Sequence, residues 1–182
     1  CPMDDIKQLL RSQEIGLVLV EPILGRGGML PPPSGWLQEL AAVTRSFEAL
    51  LAFDEVQSGM GRTGAPFAGL EEGVIPDLIC IGKALGGGFP ISACMGTRDV
   101  MDSWGESTGE ALHTQTFLGH PIGCAAALAV LELQTPIFFE QVNNASRCLR
   151  ESLTTKGFSF RGRGLMMGVY TNRHTFELSR KL

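Results

Sequence analysis

Three short apolar runs, residues 15–20, 49–53 and 78–81, each stop near a charged residue and a glycine or proline, and stretches of helical spacing lie around them. Runs of this length read as strands buried in a sheet rather than as helices. Ahead of the first run, residues 3–13 place Ile6, Leu9 and Leu10 at helical intervals. After it, Pro31-Pro32-Pro33-Ser34 marks a stop and a helix cap, and Trp36, Leu37, Leu40, Ala41, Val43 and Phe47 then recur with helical period. Strand and helix in alternation predict an α/β fold, a mostly parallel sheet flanked by helices. Residues 59–73 read as turn-rich and residues 91–96 as a further strand. Pro121 suits the first turn of a helix through Cys124, Ala127, Leu128 and Leu131, and residues 136–153 read as a second, long helix. Residues 158–161 and 165–170 look like two strands across a Gly162-Arg163-Gly164 turn.

In parallel sheets of this kind ligands sit beyond the carboxyl ends of the strands, and Glu21, Asp54 and Lys83 all fall there. Lys83 follows the apolar run Leu78-Ile79-Cys80-Ile81-Gly82 and precedes Gly86-Gly87-Gly88, while Asp54 closes the run 29 positions upstream. A lysine shielded by apolar neighbours gives up its charge more readily than an exposed one, which suits it to condense with a carbonyl. An acid at a strand tip can hold a positively charged ring nitrogen. Together these are the two demands that pyridoxal phosphate makes of a protein. Taken alone, Lys83 reads as a solvated loop residue and Asp54 as a turn acid or helix cap. The glycines around Lys83 do not have the spacing of a nucleotide phosphate loop, and no Ser or Thr follows the lysine.

Four blocks carry a family likeness: Glu21-Pro22 with the glycines at 25, 27 and 28; residues 53–64, from Phe53-Asp54-Glu55-Val56-Gln57 to Gly61-Arg62-Thr63-Gly64; Pro76-Asp77 leading to Gly82-Lys83-Ala84-Leu85 and the glycine run; and residues 113–121, His113-Thr114-Gln115-Thr116-Phe117-Leu118-Gly119-His120-Pro121. In this order and spacing they resemble the class III aminotransferases, the ornithine, acetylornithine and 4-aminobutyrate aminotransferase-like enzymes of fold type I. The likeness runs over about residues 14–169.

The resemblance implies an enzyme that uses pyridoxal 5'-phosphate to move an amino group from an amine or an amino acid, ω-amino acids included, to a 2-oxo acid. It implies that Lys83 forms the internal aldimine and later shuttles the substrate proton. Asp54 would pair with the pyridine nitrogen and keep it protonated, so that the ring accepts electrons. Val56 would pack on the ring and Gln57 would bond its 3' oxygen. Strand alternation sends positions 54 and 57 to opposite faces, so the backbone must turn directly after Asp54. The resemblance also implies that Thr116 binds the phosphate of the cofactor in a neighbouring subunit, making the full-length protein a homodimer. Thr114 and Gln115 are weaker candidates for that loop. Glu21 reads either as a satisfied acid or as a substrate-side group. Ornithine-type relatives often carry a second acid where this chain has Arg26, which puts ornithine-like gating in doubt. Arg62 reads as structural or as a subunit contact.

On this resemblance residues 1–135 form the second half of the cofactor-binding large domain, residues 136–156 a linking helix and residues 157–182 the start of a small C-terminal domain. Relatives usually run to at least twice this length. The expected complement is an upstream phosphate loop and stacking aromatic, with a carboxylate-binding arginine downstream. The chain alone is therefore expected to retain the cofactor weakly. The same lysine and aspartate also serve aminomutases, racemases and decarboxylases on this scaffold, and an inactive fragment is a further alternative.

Composition narrows the rest. With 44% hydrophobic residues in 182 and a net charge of −4, one compact unit with a real core is affordable. The fifteen basic residues are scattered, so no stripe for nucleic acid emerges. The longest apolar runs are shorter than the ~20 residues a bilayer demands. A cytoplasmic location without membrane or nucleic-acid partner is expected. Five widely spaced cysteines, Cys1, Cys80, Cys94, Cys124 and Cys148, three of them in apolar segments, read as buried reduced thiols. His113, His120 and His174 have no metal-ligand spacing, and His120 reads as a loop or helix-start residue.

Overall fold

The structure is a computed structural model and describes residues 2–110 and 113–171. Helix α1 (Met3–Ser12) leads into strand β1 (Leu17–Val20), and α2 (Trp36–Ser46) crosses to β2 (Leu50–Asp54). A one-turn helix α3 (Ala68–Glu71) precedes β3 (Leu78–Ile81), which is followed by β4 (Ala93–Gly96) and the short α4 (Arg98–Asp102). Helices α5 (Pro121–Leu133) and α6 (Pro136–Thr155) lead to the hairpin β5 (Phe160–Arg163) and β6 (Met166–Val169).

The main sheet has the order β1-β2-β3-β4, parallel across the first three strands and antiparallel at β4. Its register places Val20 beside Phe53 and Asp54 beside Cys80, so the carboxyl ends of β2 and β3 lie together. Asp77 locks that register. Its carboxylate accepts from the Leu51 N–H at 2.8 Å, its own N–H donates to the Leu51 carbonyl at 2.8 Å, and its carbonyl accepts from Thr97. One acid thus ties the starts of β2 and β3 to the end of β4.

Helices α1 and α2 cover one side of the sheet. Leu37 and Leu40 of α2 pack with Leu51, Phe53 and Val74 in a buried cluster, and Leu10, Val43 and Ala49 form a second beneath α1. A third cluster, Met60, Ile81, Leu85 and Ala127, seats α5 at the end of β3. The remaining helical faces stay open: Ile122, Leu128, Leu131 and Ile137 are exposed. No single described helix is long and apolar enough to cross a membrane; α5 and α6 reach that length and composition only as a pair bent by 77°.

Several local expectations change. The α2 N-cap is Gly35, at φ 82°, and not Ser34, because the left-handed turn there needs a residue without Cβ. The turn-rich segment after Gly59 contains α3, and α4 lies where no helix was expected. In the hairpin, Arg163 pairs with Met166, so the tight turn is Gly164-Leu165, one step beyond the expected place. Four of the thiols are not buried as expected: Cys94, Cys124 and Cys148 are exposed and Cys80 is half-buried, while Cys1 lies outside the described residues. An apolar segment buries its side chains only where another surface covers it, and in this chain nothing among the described residues covers the outer face of α5 or β4.

Candidate active site

Strand β2 ends at Asp54 because the Asp54 carboxylate turns the chain. Its Oδ1 accepts from the Val56 N–H two residues on, at 3.0 Å, an Asx turn. This is the turn that the sequence required if Asp54 and Gln57 are to serve one ring. The next residue, Glu55, is 1% exposed and accepts from Ser58 Oγ at 2.5 Å, Gly69 N–H at 2.7 Å and Ala68 N–H at 3.1 Å. A buried carboxylate with three donors holds the loop after β2 against the first turn of α3. Its role has no signature in sequence, since the partners lie up to 14 residues away.

Val56 then stands over the end of β3. A Cβ placed on Gly82 would meet Val56 Cγ1 at 3.4 Å, which brings the Val56 side chain beside the residue preceding Lys83. Lys83 and Ala84 open a run of tight turns, with Gly87 N–H on the Ala84 carbonyl and Phe89 N–H on that of Gly86. Gly86 approaches so close to the Phe89 carbonyl that any Cβ would overlap it.

Lys83, Val56 and Gln57 line one cavity of about 560 Å³, together with Arg62, Met29 and residues 165–167 of the hairpin. Three of the expected cofactor residues therefore share one space. Asp54 does not line it. It faces the neighbouring groove of about 680 Å³ beside Glu21, Leu24 and Trp36, and it reaches the first cavity through Val56, whose backbone it holds. Lys83 is exposed, contrary to the expected apolar shielding, because the turn after Gly82 carries it beyond the sheet edge. Arg62, read from sequence as structural or a subunit contact, turns its side chain toward the same cavity, and its carbonyl accepts from Leu165.

Glu21 accepts from the Gly25 N–H at 2.9 Å, which is the satisfied-acid arrangement. The loop so formed presses on the site: a Cβ on Gly25 would lie 2.7 Å from the Gln57 amide. Arg26 is exposed. Thr116 lies in an exposed stretch, residues 113–119, and lines neither cavity. His120 caps α5, its Nδ1 accepting from Gly123 N–H at 3.4 Å, and stacks on Phe89 at 5.6 Å, the helix-start role expected of it. His174 lies outside the described residues.

Residues 2–180 match the family Aminotransferase class-III. The chain belongs to that family. It is 41% identical over 175 residues to an acetylornithine aminotransferase of Clostridium acetobutylicum, covering 92% of this chain and 44% of that protein. Among solved structures, an ornithine aminotransferase from Toxoplasma gondii with pyridoxal phosphate at partial occupancy in its active site superposes with a TM-score of 0.84 at 33% identity, over 94% of this chain and 41% of that one. The N-acetylornithine aminotransferase of Stenotrophomonas maltophilia gives 0.79 at 32% identity, over 94% and 45%. The chain spans less than half the length of each of these class-III relatives. The α/β fold with its mostly parallel sheet is that of these fold-type I aminotransferases.

The donor set fits the cofactor of the family. One cavity offers an amine, an apolar branched side chain and an amide, with a carboxylate one turn behind. The missing side chain of Gly25 leaves room for the Gln57 amide, since a Cβ there would stand 2.7 Å from it.

Proposed function

We propose that this chain supplies the lysine-bearing half of a pyridoxal-phosphate site that transfers an amino group from an amine or amino acid to a 2-oxo acid. The observation that carries the reading is the common cavity of Lys83, Val56 and Gln57 at the carboxyl ends of adjacent parallel strands. Pyridoxal phosphate, when bound, supplies a cationic ring that stores the electrons released at the substrate carbon. Lys83 Nζ would hold the cofactor and, once free, take and return the proton of the substrate carbon. Val56 would exclude water from one side of the site, and the Gln57 amide, given room by Gly25, would donate to an oxygen of the ligand. Asp54 would keep a positive charge in place from its own side of the Val56 turn.

The acetylornithine and ornithine aminotransferases among the relatives support an amino acid with a terminal amine as the first donor to try. The exposed loop carrying Thr116 is consistent with a cofactor phosphate held across a subunit boundary, so the working unit is proposed to be a dimer.

Borohydride reduction tests the reading. After incubation with pyridoxal phosphate and reduction, peptide mapping is expected to find the pyridoxyl label on Lys83 ahead of Lys7 and Lys156, and Lys83→Ala is expected to lose it. Equal labelling of Lys83 and the other three lysines, Lys7, Lys156 and Lys181, would overturn the assignment. Release of one oxo acid per pyridoxamine phosphate formed from an amino donor separates transfer from decarboxylation or racemisation.

A further inference from the structure

Cys80 on β3 and Cys94 on β4 are direct partners in the antiparallel register, and their sulfurs stand 4.0 Å apart. The Cys80 carbonyl accepts from Glu55 N–H at 2.9 Å, on the β2 side. In a strand the N–H and C=O of one residue point the same way, so toward β4 this is a non-hydrogen-bonded pair, the kind whose Cα atoms approach to about 4.5 Å. That spacing falls within the ~4.4–6.8 Å range of Cα separations that disulfides span. Cys94 is exposed and open to reagents, while Cys80 is half-buried behind it. Burial, the neighbouring Cys94 and the Asp54 carboxylate all push the Cys80 thiol up, in that order, which makes Cys94 the entry point.

We propose that Cys80 and Cys94 are a dithiol that a low-molecular-weight disulfide oxidises to an intramolecular disulfide across the base of the Lys83 loop. The Cys94 thiolate attacks one sulfur of the incoming disulfide, forming a mixed disulfide and expelling one thiolate, which takes up a proton. The Cys80 thiolate then attacks Cys94 Sγ and displaces the second thiol. Two cysteine sulfurs are oxidised by one electron each, and one disulfide is reduced to two thiols. The bond closes a ring over residues 81–93, which contain Lys83 and the glycine run, so it ties both ends of the loop that presents the lysine. This inference goes beyond the proposed transamination and does not depend on bound cofactor.

The test uses the unmodified chain at low concentration with bis(2-hydroxyethyl) disulfide, followed by alkylation in denaturant. Alkylatable cysteines are expected to fall from five to three, and trypsin is expected to release residues 63–83 joined to residues 84–98, since Lys83 separates the two cysteines. Amide exchange over residues 82–92 is expected to slow severalfold on oxidation. Cys94→Ser is expected to keep all four remaining thiols alkylatable, and Cys124→Ser to lose two of four. A stable mixed disulfide on Cys94, a link through Cys1, Cys124 or Cys148, a link between two copies, or five surviving thiols would each overturn the proposal. The peptide map of the unsubstituted chain decides even where a variant fails to fold.

Discussion

At the residue scale, one substitution separates the turn that Asp54 makes from the charge proposed for it. Its Oδ1 organises the turn to Val56, and its carboxylate borders the groove on the other side of that turn from Lys83. Asp54→Asn keeps an acceptor for the Val56 N–H, so unfolding in urea is expected to shift by less than about 1 kcal/mol. The rate of amino transfer in the cofactor-loaded protein is expected to fall on the order of 10²–10³-fold, in line with the loss of one preorganised charge. An unchanged rate in Asp54→Asn would remove Asp54 from the chemistry. Gly25→Ala tests the room left on the other side of Gln57. The added Cβ has 2.7 Å to the amide where ordinary contact needs more, so Gln57 must move. Labelling of Lys83 should weaken while the unfolding midpoint stays within about 1 kcal/mol of the original, since Gln57 is a surface-reaching side chain. The places of Asp54, Lys83, Val56 and Gln57 were legible in sequence because all four sit within a few residues of a strand end. Glu55 and Asp77 were not, since their partners are backbone amides brought near only by folding.

At the scale of elements, the helix–strand alternation was legible because hydrophobic period and length distinguish the two, and β1 to β3 and α1, α2, α5 and α6 fall where the pattern put them. Ends and short pieces were not. The α2 helix stops in a Schellman arrangement, with Ala49 N–H on the Thr44 carbonyl at 3.2 Å and Glu48 N–H on that of Arg45 at 3.1 Å. The left-handed position, φ 56°, is held by Glu48, an exposed residue with a Cβ that this conformation disfavours. Glu48→Gly is therefore expected to stabilise the chain by roughly 0.5–1 kcal/mol, the left-handed penalty less the added chain entropy of glycine. Equilibrium urea unfolding reads it, and a loss of stability would show that Glu48 is not strained. A sequence reader sees no glycine there and cannot place the helix end, because side-chain pattern carries no φ.

At the scale of the whole molecule, the cavity wall is built from segments more than a hundred residues apart. Arg161 of β5 donates through Nε to the Gly28 carbonyl and through Nη2 to the Gly27 carbonyl at 3.1 Å, and it lies 4.8 Å from the centre of the Tyr170 ring. Ser146 and Arg150 of α6 bind the Gly164 and Gly162 carbonyls at 2.7 Å each. The hairpin is thereby clamped over Met29 and Arg62, and Met166 and Met167 close the cavity of Lys83. Arg161→Met keeps most of the side-chain volume and removes the charged donors, so a destabilisation of about 1.5–3 kcal/mol is expected by urea unfolding, with faster proteolysis around residues 24–30. A neutral result would mean that the hairpin is held by Ser146, Arg150 and the bond from Leu165 N–H to the Arg62 carbonyl without help from Arg161.

Taken by itself, the order of residues determined which side chains are candidates for the chemistry and that strands alternate with helices, because both are written in composition and spacing along a few neighbouring positions. Only the tertiary structure decided that Lys83 stands exposed, that Asp54 lies on the far side of the Val56 turn, and that two cysteines fourteen residues apart face each other. Exposure, facing and distance depend on which surfaces meet, and that is settled by strand register and by long-range hydrogen bonds that no local pattern encodes.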